Sequence, residues 1–268
     1  MSKALQESQE AIRKIIGKNP KLANPKGLGR AFELYIMTGI GQALQAKGCL
    51  VWIQRSDGSR IKPNDSDREF IQTGGSPAGI GADNASSIVF SNNGNQWEIL
   101  NGIQFEGRSA ALHEIDIAIV PKEIVDILRE NPSSKGILLG RPPVSIECKD
   151  VSAKGSLDEM RTFVARLYDL TILKSHYKHL LYRYYVGNRK WVVHQCVLSG
   201  MGCVAANTYR DENNRTLNVL ARRTGFSSGT AKLVEYYGIK PYPNITVGSY
   251  AAKELMKEVA DWICKHCR

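Results

Sequence analysis

Two short apolar runs carry acids where a buried strand should carry none. They are Leu112-His113-Glu114-Ile115-Asp116-Ile117-Ala118-Ile119-Val120 and Pro143-Val144-Ser145-Ile146-Glu147-Cys148-Lys149-Asp150. A charged carboxylate in an apolar strand is costly unless it is paired or holds a metal. Strand alternation sends Val144, Ile146 and Cys148 to one face and Ser145, Glu147 and Lys149 to the other. In the first run Ile115, Ile117 and Ile119 share a face, which leaves Glu114 and Asp116 opposite. If the two strands pair, Asp116 and Glu147 converge on one ion. Mg²⁺ takes one or two carboxylates, with water and substrate phosphate completing its octahedron. Lys149 would then stand beside an attacking water, where it could orient that water, lower its pKa or stabilise the pentacovalent phosphate. The chemistry implied is metal-assisted hydrolysis of a phosphodiester.

The elements that must position these residues follow from periodicity and breakers. A helix is expected over 4–17, with Leu5, Ile12, Ile15 and Ile16 on one side, ended by Asn19-Pro20 and Asn24-Pro25-Lys26-Gly27. A second, more apolar helix is expected from about Gly29 to Lys47, and its single acid is Glu33. Cys49–Ile53 reads as a strand. Residues 55–87 are polar and turn-rich and read as an insertion or long loop in contact with substrate. Ser87–Phe90 and Gln96–Leu100 flank Asn92-Asn93-Gly94 as a hairpin. A short helix over Lys122–Arg129 lies between the two acid-bearing strands. Ser156-Leu157-Asp158-Glu159 is a capping box that opens a helix to about Tyr177. Trp191–Val197 reads as a further strand, followed by a helical C-terminal third that ends in Tyr250–Cys264.

Bulk properties narrow the class. With 268 residues, 43% hydrophobic and 23% charged, the chain suits one large domain or a core with a small appendage. A net charge of +10 favours a polyanionic partner, nucleic acid or an acidic membrane surface. From Lys154 to Lys190 eight Lys/Arg face three Asp/Glu and are interleaved with Tyr177, Tyr182, Tyr184 and Tyr185. Basic residues among aromatics suit a phosphate backbone and its bases. Arg161, Arg166, Lys174 and Lys178 are the candidate nucleic-acid contacts. No apolar run is long enough to span a membrane, and the first residues lack a hydrophobic signal core. A cytoplasmic protein with reduced cysteines is expected. Cys264-Lys265-His266-Cys267 is half of a zinc spacing without its second half, and reads as an exposed C-terminal turn.

The order of helix with Glu33, strand with Asp116 and strand with Glu147-Cys148-Lys149 resembles the PD-(D/E)xK superfamily of restriction-endonuclease-like nucleases. The likeness covers roughly residues 29–177 in layout and only a few residues in identity. It departs from the bare pattern in having Ile115 before the Asp and 30 residues between Asp116 and Glu147. The resemblance implies an α/β fold with a mixed central sheet flanked by helices. That restriction-endonuclease-like core would span 1–200, with the insertion near 55–87. A helical region over 201–268 would pack on it. Glu33, Asp116, Glu147 and Lys149 would be catalytic. Asp116, Glu147 and the Cys148 carbonyl would hold Mg²⁺, with Mn²⁺ as a substitute. The activity implied is DNA endonuclease, most simply in prokaryotic genome defence as a restriction enzyme or anti-phage effector. Repair or transposition is the neighbouring role. Double-strand cleavage would need two active sites and hence a homodimer or higher homo-oligomer, and a defence system could supply an activator or partner.

A second signal is Leu217–Lys232, which has the pattern of a helix-turn-helix with Gly225 at the turn. Ser227, Ser228, Thr230 and Lys232 would then face a major groove; a plain helical hairpin fits the same residues. A non-catalytic nucleic-acid-binding protein is the competing class. It would have no use for Asp116, Glu147 and Lys149 on one side of a sheet.

Overall fold

The chain opens on α1 (Lys3–Ile16). The Leu5 N–H donates to the Ser2 hydroxyl at the start of this helix. Gly17, in the left-handed region at φ +85°, returns its N–H to the Arg13 carbonyl at the end. Ala4, Ser8, Ala11, Ile12, Ile15 and Ile16 recur at helical spacing and are buried. In the computed structural model the described residues are 2–23, 28–72, 79–107, 109–130, 136–170 and 216–267.

β1 (Lys21–Ala23) leads to α2 (Leu28–Ala46), which is buried almost all round. That explains its lack of charge other than Arg30 and Glu33. Close packing against the last helix is possible at Gly39, where a Cβ would lie 2.3 Å from the Met256 sulfur. β2 (Leu50–Gln54), β4 (Ser87–Asn92) and β5 (Asn95–Glu106) form an antiparallel meander. The expected hairpin at Asn93-Gly94 is present, with both residues at positive φ, as a tight two-residue turn requires. β6 (Leu112–Pro121) returns along β5, then α3 (Lys122–Glu130), the short β7 (Leu138–Leu139) and β8 (Val144–Lys149) follow. After α4 (Leu157–Leu170) come β9 (Leu217–Arg222), α5 (Ser228–Tyr236), β10 (Ile239–Tyr242) and α6 (Tyr250–His266).

These strands make a mixed sheet in the order β10-β9-β8-β6-β5-β4-β2, with β7 beside β5. One face packs on α1, α2 and α6. The other carries α3 over β5 and β6, and α4 with α5 over β9. The protein is therefore α/β, with a mixed central sheet between helical layers.

Four expectations are corrected. The first segment of the proposed helix-turn-helix is β9, buried along its whole length between β8 and β10. A parallel strand covered on both faces shows no apolar–polar alternation, and here even Asn218 and Arg222 are buried. Its last residue, Arg222, is fully buried against Glu159 at 2.5 Å and the Ala153 carbonyl. Nor do Ser227 and Thr230 face a groove: their hydroxyls meet at 2.5 Å, and Thr230 donates to the Gly155 carbonyl. Second, the described part of 201–268 is not purely helical, since β9 and β10 belong to the central sheet. Third, residues 55–87 are not all loop. They include β3 (Glu69–Ile71), paired in parallel with β1 outside the main sheet, and a turn of 3-10 helix at Ala82–Asn84. Cys267 is also buried rather than exposed, and Cys264 lies 3.8 Å, sulfur to sulfur, from Cys49. The strand expected at Trp191–Val197 and the basic stretch beyond Leu170 lie outside the described residues.

Candidate active site

β6 and β8 pair only from Ile119↔Val144 to Ile117↔Ile146. Beyond that point β6 continues along β5 to Leu112, and β8 continues along β9 to Lys149. The two strands part where Asp116 and Glu147 stand, so a fork opens in the middle of the sheet. Asp116 bridges it: its Oδ2 accepts the Cys148 N–H at 2.7 Å. An extended residue presents its N–H and C=O to the same flank, so the Cys148 carbonyl also turns toward β6. The Cys148 thiol lies on the α2 face in the apolar core, and burial pushes its pKa up.

The simple alternation expected for β6 breaks at this same place. Ile117 and Ile119 join the core of α1, α2 and α6, whereas Ile115 joins that of α3 with Ala118 and Val120. The residue between the partners of Ile115 and Ile117 on β5 is Gly102, at φ +61°. Left-handed backbone there costs glycine nothing. The change of face falls on Asp116, the fifth residue of a ten-residue strand and not its end.

Glu147 is 1% exposed. Its Oε1 takes both Lys149 Nζ and Arg166 Nη2, each at 2.5 Å, while its Oε2 is buried with no partner among the described residues. Arg166 also donates to the Glu114 carbonyl at 3.0 Å. Glu33 reaches the fork from α2, where Arg30 Nη1 and Asn101 Nδ2 donate to its Oε2 at 2.9 and 2.8 Å. Arg30 extends to Glu114 at 3.2 Å. Asn101 also donates to the Asp116 carbonyl at 2.8 Å and accepts from Gln72 Nε2 at 3.1 Å.

Burial pushes the Asp116 carboxyl well above the ordinary carboxylate range, and the charges of Glu147 and Glu33 add to the effect. Burial raises Glu33 too, against the pull of Arg30 and Asn101. At Lys149 burial works against the charged form, but Glu147 and Asp116 outweigh it and hold the ammonium above its usual value. Two carboxyls that resist ionisation, Asp116 and Glu33, near a buried Glu147 oxygen with no partner among the described residues, are what a cation would relieve.

Glu33, Asp116, Glu147 and Lys149 are thus gathered around one fork, with Arg166 beside them. Arg161 is not: it is exposed and pairs with Asp158 on its own helix. Lys174 and Lys178 lie outside the described residues. Asn101, Gln72 and the Arg30 link to Glu114 were missed. The signal for the first was Asn101-Gly102, a polar residue and a glycine interrupting Ile99-Leu100 and Ile103. Among the described residues, no three His, Cys, Asp or Glu side chains form a ready cage for a metal. Two carboxylates and a backbone carbonyl remain, which is a donor set suited to Mg²⁺ rather than to a soft metal.

Comparison with known proteins finds no matching family model, curated protein or solved structure. Among the described residues no helix is long and apolar enough to cross a membrane.

Proposed function

We propose that the protein is a Mg²⁺-dependent endonuclease that hydrolyses DNA phosphodiester bonds by direct attack of water. The observation that carries this reading is the carboxylate of Glu147. It is buried at a strand fork beside Asp116, with Lys149 and Arg166 on one oxygen and, among the described residues, nothing on the other. Buried acids in purely structural roles normally have both oxygens satisfied.

Asp116, Glu147 and the Cys148 carbonyl would hold the ion, and Mn²⁺, which accepts the same oxygen ligands, would substitute. When bound, such an ion supplies a water of lowered pKa and neutralises charge on the phosphate. The chain's own residues do the rest. Lys149, kept charged by its two carboxylate neighbours, donates a hydrogen bond to the attacking oxygen or a phosphate oxygen. Arg166, anchored by the Glu114 carbonyl, offers a second cation to the phosphate. Glu33 closes the acidic side of the fork and, through Arg30, keeps Glu114 in place. The net charge of +10 suits a nucleic-acid substrate. By analogy with nucleases of this layout, the setting is prokaryotic genome defence, with a homodimer wherever both strands are cut and a partner or activator from the defence system.

Supercoiled plasmid incubated with the protein and Mg²⁺ or Mn²⁺ tests the proposal. Nicking or linearisation is expected, abolished by EDTA and by Glu147→Ala or Lys149→Ala. A wild-type protein that shifts DNA in a gel but leaves it intact with every divalent ion would replace the nuclease reading with a binding module.

A further inference from the structure

One buried amide ties the helix side of the fork to the backbone of β6. Asn101 is 4% exposed and sits on β5, one residue before the left-handed Gly102. Its amide divides its donors between Glu33 Oε2 on α2 and the Asp116 carbonyl on β6, both at 2.8 Å. Its carbonyl oxygen accepts from Gln72 Nε2. Gln72 also donates to the Arg30 carbonyl at 2.7 Å, one helical turn before Glu33. Gln72 directly follows β3, so the segment 55–72 ends in the wall of the fork. That segment is fastened elsewhere too: Ile71 exchanges bonds with Ser86, and Arg55 and Arg68 hold the turn at Asp65.

We propose that Asn101 is a positioning residue that sets the place and charge of Glu33 relative to Asp116, and that Gln72 couples the 55–72 segment to that setting. The second part rests on the nuclease reading, because it makes the segment a regulator of cation and substrate binding at the fork. The first part does not. An amide donor favours an ionised carboxylate, so without Asn101 the buried Glu33 carboxyl keeps its proton to higher pH. A neutral Glu33 repels Asp116 less but offers a cation less. What happens at the segment, such as contact with a nucleic-acid strand, is transmitted through Gln72 as a firmer or looser Asn101. In the other direction, occupancy of the fork stiffens the end of β3 by the same amount of free energy.

The test compares wild type with Asn101→Leu, which keeps shape and removes the amide, and with Gln72→Leu, which leaves Asn101 in the chain. The first readout is the titration of the Glu33 side-chain carboxyl by ¹³C NMR in metal-free protein, assigned by its loss in Glu33→Gln. The second is Mn²⁺ affinity by calorimetry. Asn101→Leu should move the Glu33 titration to higher pH and weaken Mn²⁺ about 10–100-fold, the usual range for residues that orient ligands. Gln72→Leu should move both the same way and less. If Glu33 titrates unchanged in both variants while their melting temperatures fall, Asn101 is only structural and the proposal is overturned. If Asn101→Leu does not fold, an unchanged titration in Gln72→Leu overturns the coupling by itself. A shifted titration in protein that neither binds Mn²⁺ nor cuts DNA upholds Asn101 as the setter of Glu33 and counts against the nuclease reading instead.

Discussion

Two glutamates on the central sheet are equally hidden from water and are treated in opposite ways. Glu98 on β5 is fully buried, and both its oxygens are taken by the Arg129 guanidinium, with one bond at 3.0 Å. Arg129 is completed by Asp126 at 3.1 Å and the Ser56 carbonyl at 3.0 Å. Every charge in that cluster has its complement, and the cluster pins α3 to the sheet and to the turn after β2. Among the described residues, Glu147 on β8 has two cations crowded on one oxygen and none on the other. Its neighbours Asp116 and Glu33 are held away from their charged forms. The first arrangement is closed by its own residues; in the second, acids crowd together and one oxygen has no partner among the described residues. Burial alone therefore does not set Glu147 apart; incomplete satisfaction beside like charges does, and the proposed function rests on that difference.

The contrast breaks most visibly under mutation of each acid. Glu98→Ala leaves Arg129 buried and unpaired and should cost about 3–5 kcal/mol of stability, while any folded protein keeps its chemistry. Glu147→Gln should do the reverse: plasmid cleavage falls by roughly 10²–10³-fold, and the midpoint of chemical denaturation stays near wild type. Equal loss of stability in the two variants would erase the distinction.

A smaller effect concerns protons and ions. Asp116 and Glu33 both sit above their ordinary values, so the folded form binds protons before the unfolded chain does. Metal-free protein should thus gain stability from these groups as pH falls from neutrality through their folded pKa values, levelling near the unfolded values of about 4. The gain should disappear in the Asp116→Asn, Glu33→Gln double variant, which isolates it from the rest of the chain. Saturating Ca²⁺ or Mg²⁺ at neutral pH should stabilise wild type instead, by about 2.7 kcal/mol at a hundred times Kd. A melting temperature indifferent to both pH and ion would contradict an open acidic fork. Cleavage, which needs the ionised carboxyls, should fail at a higher pH than ordinary carboxylates would dictate.

The smallest effects separate two arginines of one helix. Arg166→Ala, which removes a cation from Glu147, should slow cleavage about tenfold or more. Arg161→Ala, whose only described partner is the exposed Asp158, should change neither cleavage nor stability measurably.

Much of the fork was legible in the sequence because its residues violate the pattern of their elements. Glu33 stands alone in an apolar helix, and Asp116, Glu147 and Lys149 stand in apolar strands. Even the pairing of Glu33 with Arg30 follows from their spacing of one helical turn. Asn101 leaves only the weak signal of Asn101-Gly102 interrupting an apolar run in mid-strand, and Gln72, in a turn-rich stretch, breaks no rule until the fold shows it buried. β9 was misread for the opposite reason. Leu217–Arg222 carries arginine and asparagine that suggest an exposed helix, and only partners distant in the chain, Glu159 and Ala153, make Arg222 a core residue. The change of face at Asp116 depends on the backbone of Gly102 across the ladder, which no local periodicity contains.

The central claim is that the fork between β6 and β8 is built to hold a divalent cation. Calorimetric titration of metal-free protein with Mn²⁺ measures it most directly, in wild type, Asp116→Asn and Glu147→Gln. The account predicts one ion bound per chain, with protons released on binding, and loss of that binding in both variants. Binding that survives both substitutions, or none at all in wild type, would contradict it.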